Sequence, residues 1–383
     1  MSVRPNTEPA LSVRPDDPVR PRAGAAPGGV PGRLAWVDVA KGICIILVVM
    51  MHSTLGVGEA MGGEGFMHHV VEFAKPFRIP DFFLLSGLFV GRVVDRDWRL
   101  FADRRIVHFA YFYLLWMVLQ SAVKYGQITD GAGPGAFLAH LAHGLIEPYS
   151  TLWFIYLLAV FSVVVKLLRR LPWPVLLIGA ALLQLAPVHT GSTLIDEFCD
   201  RLVYFVAGYL FAARIFALAD WVRTRSGLAL AGLAAWASLE ALLVFTPTGL
   251  TSHPTLASLP VVSLMLGAAG ALAIVATAAL LTRAGGPVTA ALRACGERSI
   301  VIYLAFFLPM AALRTALVRS GVIEDIGLVA LLVTLTAVVV PLAIERVVRH
   351  TPARFLFRRP AAFHLVGEDG GRPAPRLAPA PTA

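Results

Sequence analysis

Hydrophobic positions along the chain fall into runs of about twenty residues separated by short polar gaps, and this pattern predicts membrane helices. Ten such segments can be drawn, at roughly 34–55, 77–94, 106–123, 152–168, 174–188, 202–218, 228–246, 259–281, 299–318 and 326–348. The second and fifth are short for a bilayer and read as tilted, broken or partly re-entrant. The run from Ile326 to Val348 is interrupted by a single proline, Pro341. No internal repeat is visible. The expected fold class is therefore all-α, a polytopic integral membrane protein of about ten transmembrane helices.

Composition sharpens this picture. Hydrophobic residues make up 57% of the 383 positions and charged residues 15%, against roughly 25% charged in a soluble domain. Too little polar side chain is present to cover a water-exposed surface. Residues 1–32, rich in Pro, Arg, Gly and Ala, read as a disordered cytoplasmic tail without the apolar core of a signal peptide. Residues 33–350 form the expected membrane domain, and 351–383 a basic, Pro-rich cytoplasmic tail.

The net charge of +9 belongs to topology. Arginines and lysines crowd every second gap: Arg96, Arg99, Arg104 and Arg105; Lys166, Arg169 and Arg170; Arg223 and Arg225; Arg283, Arg293 and Arg298; and Arg346 to Arg359. The alternate gaps are poorer in them. By the positive-inside rule both termini are cytoplasmic. No stacking aromatics interleave the basic residues, so no nucleic-acid partner is expected. Cys44, Cys199 and Cys295 are far apart and show neither metal nor disulfide spacing, so no metal is expected either.

Candidate chemistry concentrates in the first segment, where Asp38, Lys41 and His52 are ionisable residues inside one membrane helix. Asp38 and Lys41, three apart, can pair. Lys41 and His52, eleven apart, share a face about 16 Å apart along the axis. At the start of the second segment Arg78 and Asp81 can pair, and Ser86-Gly87 permits a close helix crossing. Trp153 fits either a substrate contact or the interfacial aromatic belt.

The stretch Trp36 to His52 resembles the first helix of the membrane-bound acyltransferase-3 family. Pro80-Asp-Phe-Phe-Leu-Leu-Ser-Gly is similar to that family's second-helix signature. Leu152-Trp-Phe, Tyr204-Phe-Val-Ala-Gly-Tyr-Leu and Gly296-Glu-Arg-Ser-Ile-Val-Ile-Tyr-Leu follow in the same order. The resemblance implies an O-acyltransferase of the sugar or envelope O-acetylation kind, in a bacterial cytoplasmic membrane. Its donor is expected to be cytoplasmic acetyl-CoA, and its acceptor a hydroxylated, carbohydrate-like molecule. It also implies that Lys41 and His52 form the basic-residue, ten-residue, histidine signature, with Lys41 standing where Arg is usual. Arg78, Asp81 and Phe306 are further departures, Phe306 standing where many members carry His. The expected site comprises His52, Lys41 and Asp38 as catalytic residues. Lys41, Arg104 and Arg105 are expected to hold the donor, and Arg78, Asp81 and Trp153 to bind the acceptor. The competing expectation is a proton-coupled transporter that uses Asp38, Lys41, His52 and Asp81 as a relay.

Overall fold

A computed structural model describes residues 34–366; the expected N-terminal tail, and the C-terminal tail beyond residue 366, lie outside the described residues. Among the described residues there is no β-strand, only an isolated bridge between Pro247 and Thr255. Seventeen α-helices follow one another: α1 (Ala35–Met61), α2 (Phe66–Ala74), α3 (Pro80–Gly87), α4 (Trp98–Ala102), α5 (His108–Val123), α6 (Tyr125–Thr129), α7 (Pro134–His143), α8 (Trp153–Leu168), α9 (Trp173–Leu185), α10 (Thr193–Leu210), α11 (Ala212–Thr224), α12 (Ser226–Phe245), α13 (Pro260–Ala284), α14 (Gly286–Glu297), α15 (Ser299–Ala305), α16 (Phe307–Ser320) and α17 (Ile326–Val348).

Every expected segment contains helix, but the expected count of ten spans is not reached. Six helices are long and apolar enough to cross a membrane, or eight if two bent pairs each count as one span. The shortfall lies at the second and fifth segments. Helix α3 has eight residues and begins at Pro80. Helix α9 has thirteen and is confined between Pro172 and Ala186, which precedes Pro187. Thirteen residues rise only about 20 Å, short of a hydrocarbon core of about 30 Å. The two bent pairs are α10 with α11, at 74°, and α15 with α16, at 52°.

The third span starts eight residues earlier than expected. Helices α4 and α5 are joined by a π turn at Asp103–Val107, giving one continuous stretch from Trp98 to Val123. Arg99, Arg104 and Arg105 therefore belong to a helix and not to a loop. Lys166, counted with the loop charges, is only 1% exposed. Its Nζ donates to the carbonyls of Val94 and Arg96, both at 2.8 Å, and lies over the rings of Trp98 and Phe101. An ammonium so buried holds only because carbonyl oxygens replace its water; here it ties α8 to the segment before α4.

Two apolar cores meet along α1. One is built around α3, α9, α10, α11 and α13, and includes Leu85, Leu158 and Phe161. The other is built around α2, α5, α15 and α17, and includes Ile155, Tyr303 and Phe306. Close crossings need glycine. A methyl group on Gly87 would lie 2.2 Å from the Phe205 carbonyl oxygen, and one on Gly208 would lie 2.1 Å from that of Leu84. Each glycine of this pair admits the other helix's backbone, as the Ser86-Gly87 dipeptide suggests. Gly42 and Gly296 do the same where α14 crosses α1.

Residues 352–366, counted with the tail on sequence grounds, fold back onto the α4–α5 span. Tyr111 Oη and Trp116 Nε1 donate to the carbonyls of Phe355 and Leu356, each at 2.9 Å. Arg359 Nη2 meets Asp103 Oδ2 at 3.0 Å, with both side chains under 10% exposed. The backbone amide of Leu365 donates to the other carboxyl oxygen of Asp103 at 2.7 Å.

Candidate functional site along the first helix

Positions 41, 45, 48, 52, 56 and 59 of α1 follow the helical period and form one stripe, about 27 Å from end to end. At its first end lies a cavity of about 340 Å³, where the two cores meet. Lys41, Arg105, Ser86 and Ser299 supply its polar wall, and Phe82, Phe89, Phe109 and Phe154 much of the rest. The Lys41 ammonium lies 5.6 Å from the centre of the Phe89 ring. Arg105 reaches the cavity from the π turn. Its guanidinium has no hydrogen-bond partner among the described residues. A π turn inserts one extra residue per turn and re-aims the side chains it carries. The Asp103–Arg359 contact anchors that turn two residues before Arg105.

His52 lies farther along the stripe and does not line the cavity. Its ring is half-buried against Phe306, with ring centres 5.5 Å apart. No hydrogen bond orients it among the described residues. Ser299 and Tyr303 lie on α15 and line the cavity, and Phe306, which packs on His52, follows at the break between α15 and α16. The Tyr303 hydroxyl donates to the Thr151 carbonyl at 2.5 Å, which locks α15 against the start of α8. Beyond His52 the stripe reaches a cleft of about 470 Å³ between α1 and α16, lined by Gly56, Glu59, Ala60, Arg314, Thr315 and Arg319 among others.

Other expected site residues fall elsewhere. Asp38, 3% exposed, is buried at the α1–α14 crossing and does not line the cavity. Arg104 is exposed while Arg105 points inward, so only Arg105 lines the cavity. The expected Arg78–Asp81 ion pair does not form. Arg78 Nη1 donates to the Val71 carbonyl at 3.1 Å, and among the described residues the fully buried carboxyl oxygens of Asp81 have no hydrogen-bond partner within normal geometry. The Cys44 thiol and the Arg78 guanidinium are near enough to act on that carboxyl electrostatically. Trp153 packs on Phe83 and Phe154 behind the cavity wall, without lining it.

Sequence reading missed the cavity's phenylalanines, because aromatic residues in an apolar run carry no signal of what they face. It also missed Glu240 of α12, fully buried with both carboxyl oxygens unpartnered. One acidic residue leaves the apolar pattern of a twenty-residue helix intact, although a lone ionisable residue in a membrane helix is itself a signal.

At the other helix ends the polar groups serve structure. Glu147 accepts hydrogen bonds from Ser192 Oγ at 2.7 Å and the Thr193 amide at 2.5 Å. Burial pushes its carboxyl up, but these bonds prevail and hold it below the usual carboxylate range. Asp196 accepts from the amides of Thr190 and Gly191. Among the described residues no three His, Cys, Asp or Glu side chains are grouped so as to hold a metal.

Comparison with known proteins fits this architecture. The chain is 28% identical over 227 residues to the inner membrane protein YcfT of Escherichia coli (strain K12). That alignment covers 52% of this chain and 62% of the relative, so the chain spans less than two thirds of the relative it matches. No solved structure matches. A family model described as an acyltransferase domain matches residues 34–346, which takes in α1, the π turn, α15 and nearly all of α17. The protein with its cavity at Lys41 and its histidine three turns farther on is thus an integral membrane protein, and it belongs to the membrane-bound acyltransferase-3 family.

Proposed function

We propose that the chain is a transmembrane O-acyltransferase of a bacterial cytoplasmic membrane. It would move an acyl group, acetyl in the simplest case, from cytoplasmic acyl-CoA to a hydroxyl of a carbohydrate or other exported acceptor. The observation that carries this reading is the stripe on α1: a cationic cavity at Lys41, a histidine about 16 Å on, and a polar cleft beyond it. A donor entering from one side and an acceptor entering from the other would meet at His52.

In this reading the pantetheine arm of the donor lies in the cavity and carries its thioester along the stripe to His52, while Lys41 and Arg105 offer positive charge to the donor's phosphates. The phenylalanine walls exclude water and limit hydrolysis. The acceptor hydroxyl gives its proton to a ring nitrogen of neutral His52 as its oxygen attacks the thioester carbonyl. The new C–O bond forms, the C–S bond breaks, and the proton passes from His52 to the leaving sulfur, releasing the thiol.

Incubating the purified protein with labelled acetyl-CoA and a hydroxylated acceptor tests the reading. Label in the acceptor, or acceptor-stimulated release of CoA, supports it. The broken helices α10/α11 and α15/α16 are also a transporter feature. Intact acetyl-CoA together with proton-coupled flux in liposomes would decide for the transporter instead.

A further inference from the structure

The cleft beyond His52 carries positive charge that neither topology nor folding accounts for. Arg314 lies in the middle of α16, away from the last turn, where a cation would favour the helix dipole. Its guanidinium is packed over Gly56, where a methyl group would lie 2.3 Å from Nη1. Gly56 is one turn from His52, about 6 Å along the axis. Arg319 lines the same cleft from the end of α16. Lys124, at the end of α5, does not line the cleft but lies over the Phe307 ring at 4.3 Å and close enough to Arg314 for mutual repulsion.

Carboxylates do not neutralise this group. Glu59 lines the cleft, and among the described residues it forms no ion pair with either arginine. Asp325 is engaged as the cap of α17, accepting from the Leu328 amide at 2.6 Å. Glu324, its neighbour, is exposed and bonded to neither arginine. Two arginines, with Lys124 nearby, thus face one carboxylate at a concave site, on the side that the positive-inside reading makes non-cytoplasmic. A fixed cationic cleft of this kind recognises an anion.

We propose that this cleft is the acceptor site and that the acceptor carries an anionic group, a carboxylate or a phosphate, held by Arg314 with Arg319. The proposal rests on the acyltransferase reading above and narrows its acceptor to an acidic one. The anion docks one turn beyond His52, so a hydroxyl one sugar ring away reaches the imidazole. Gly56 is the residue that admits the guanidinium to that distance, since any side chain there would displace it.

The experiment measures both binding and transfer, using the full chain in detergent or nanodiscs. Three probes are compared: a glucuronic-acid-containing disaccharide, its neutral glucose counterpart, and a phosphorylated sugar. One acidic probe is expected to bind at least about tenfold more tightly than the neutral one, as one charge-assisted contact allows. The better of the two tells carboxylate from phosphate. Arg314→Ala should erase the preference without altering affinity for the neutral sugar or for CoA. Arg314→Lys should keep a good part of it, and the unchanged CoA affinity of Arg314→Ala shows that the Ala variant is folded. In labelled acetyl-CoA assays the same change should appear mainly in KM for the acidic acceptor. Equal binding of acidic and neutral sugars to the unaltered protein overturns the proposal. So does an Arg314→Ala effect that is equal for all three. Preferential binding of the acidic probe without any acetyl transfer would leave the cleft assignment standing and count against the acyltransferase reading instead.

Discussion

The two ends of the α1 stripe are built differently. Around Lys41 the protein has formed a cavity, lined it with phenylalanines, and brought in Arg105 from a π turn that is itself pinned by Asp103 and Arg359. Around His52 it has provided a single ring contact and no hydrogen bond among the described residues. The Lys41 end is pre-organised, whereas the His52 end is completed by whatever binds there. Such an arrangement suits a two-substrate reaction in which a large charged donor needs a rigid receptacle. In the proposed reaction the acceptor's hydroxyl would complete the orientation of the general base, which the Phe306 ring limits only in part.

The largest expected effect breaks the comparison at its chemical end. His52→Gln should reduce acyl transfer by roughly a hundredfold to ten-thousandfold, the usual contribution of a general base. Binding of acetyl-CoA should be unchanged, because the cavity does not include His52. Near-normal transfer in His52→Gln would remove the mechanism proposed here. Loss of CoA binding would show instead that the two ends are one site.

Next in size is the anchor of the Lys41 end. Breaking a buried ion pair by removing one partner costs about 3–5 kcal/mol, and Arg359 and Asp103 are both under 10% exposed. Arg359→Ala should therefore lower the unfolding temperature clearly. It should also weaken donor binding more than it slows the saturated reaction, because the π turn loses the contact that holds it. A thermal shift without any change in donor affinity would separate the anchor from the cavity.

A smaller effect distinguishes two adjacent arginines. Arg105 lines the cavity and Arg104 is exposed. Arg105→Ala should weaken acetyl-CoA binding by about tenfold or more, as expected for loss of one charge-assisted contact, while Arg104→Ala should leave it unchanged. Lys41→Arg should retain most of the affinity. Equal losses at 104 and 105 would point to a diffuse surface attraction and not to a formed cavity.

Much of this was legible in the sequence, and the parts that were not share a cause. Runs of apolar residues mark the spans because the bilayer demands length, and the prolines around α3 and α9 account for where that length fails. Lys41 and His52 announce themselves because ionisable groups in a membrane helix are costly. Their common face follows from helical geometry alone. Arg105 could not be told from Arg104, since adjacent helical residues point about 100° apart and the π turn decides which of them faces inward. The Asp103–Arg359 contact joins residues 256 apart, so neither partner carries a local signal. The Arg78–Asp81 pair failed for the opposite reason. Their spacing permits a contact, but Arg78 finds the Val71 carbonyl instead, and Asp81 turns into the packing between α1 and α3.

The smallest expected effect concerns Phe306, which occupies the position where the resemblance places a second histidine in many relatives. Here the ring is fully buried and provides the aromatic contact to His52. A tilted aromatic pair at this separation contributes about 0.5–1.5 kcal/mol beyond its burial. Phe306→Leu keeps the site apolar and close to the same volume, so the fold and the donor cavity should survive, and CoA affinity should not change. The imidazole, lacking a hydrogen bond to orient it, should lose the flat surface that limits its rotation. Transfer should then fall by a few-fold to about tenfold, the rate equivalent of that energy, and the loss should appear in kcat. Phe306→Tyr, which preserves the ring, should be closer to the unaltered protein. If Phe306→Leu lowered donor affinity as much as it lowered kcat, the ring would be serving the cavity through Tyr303 one turn away. The division of α1 into a rigid end and an adaptable end would then have to be redrawn.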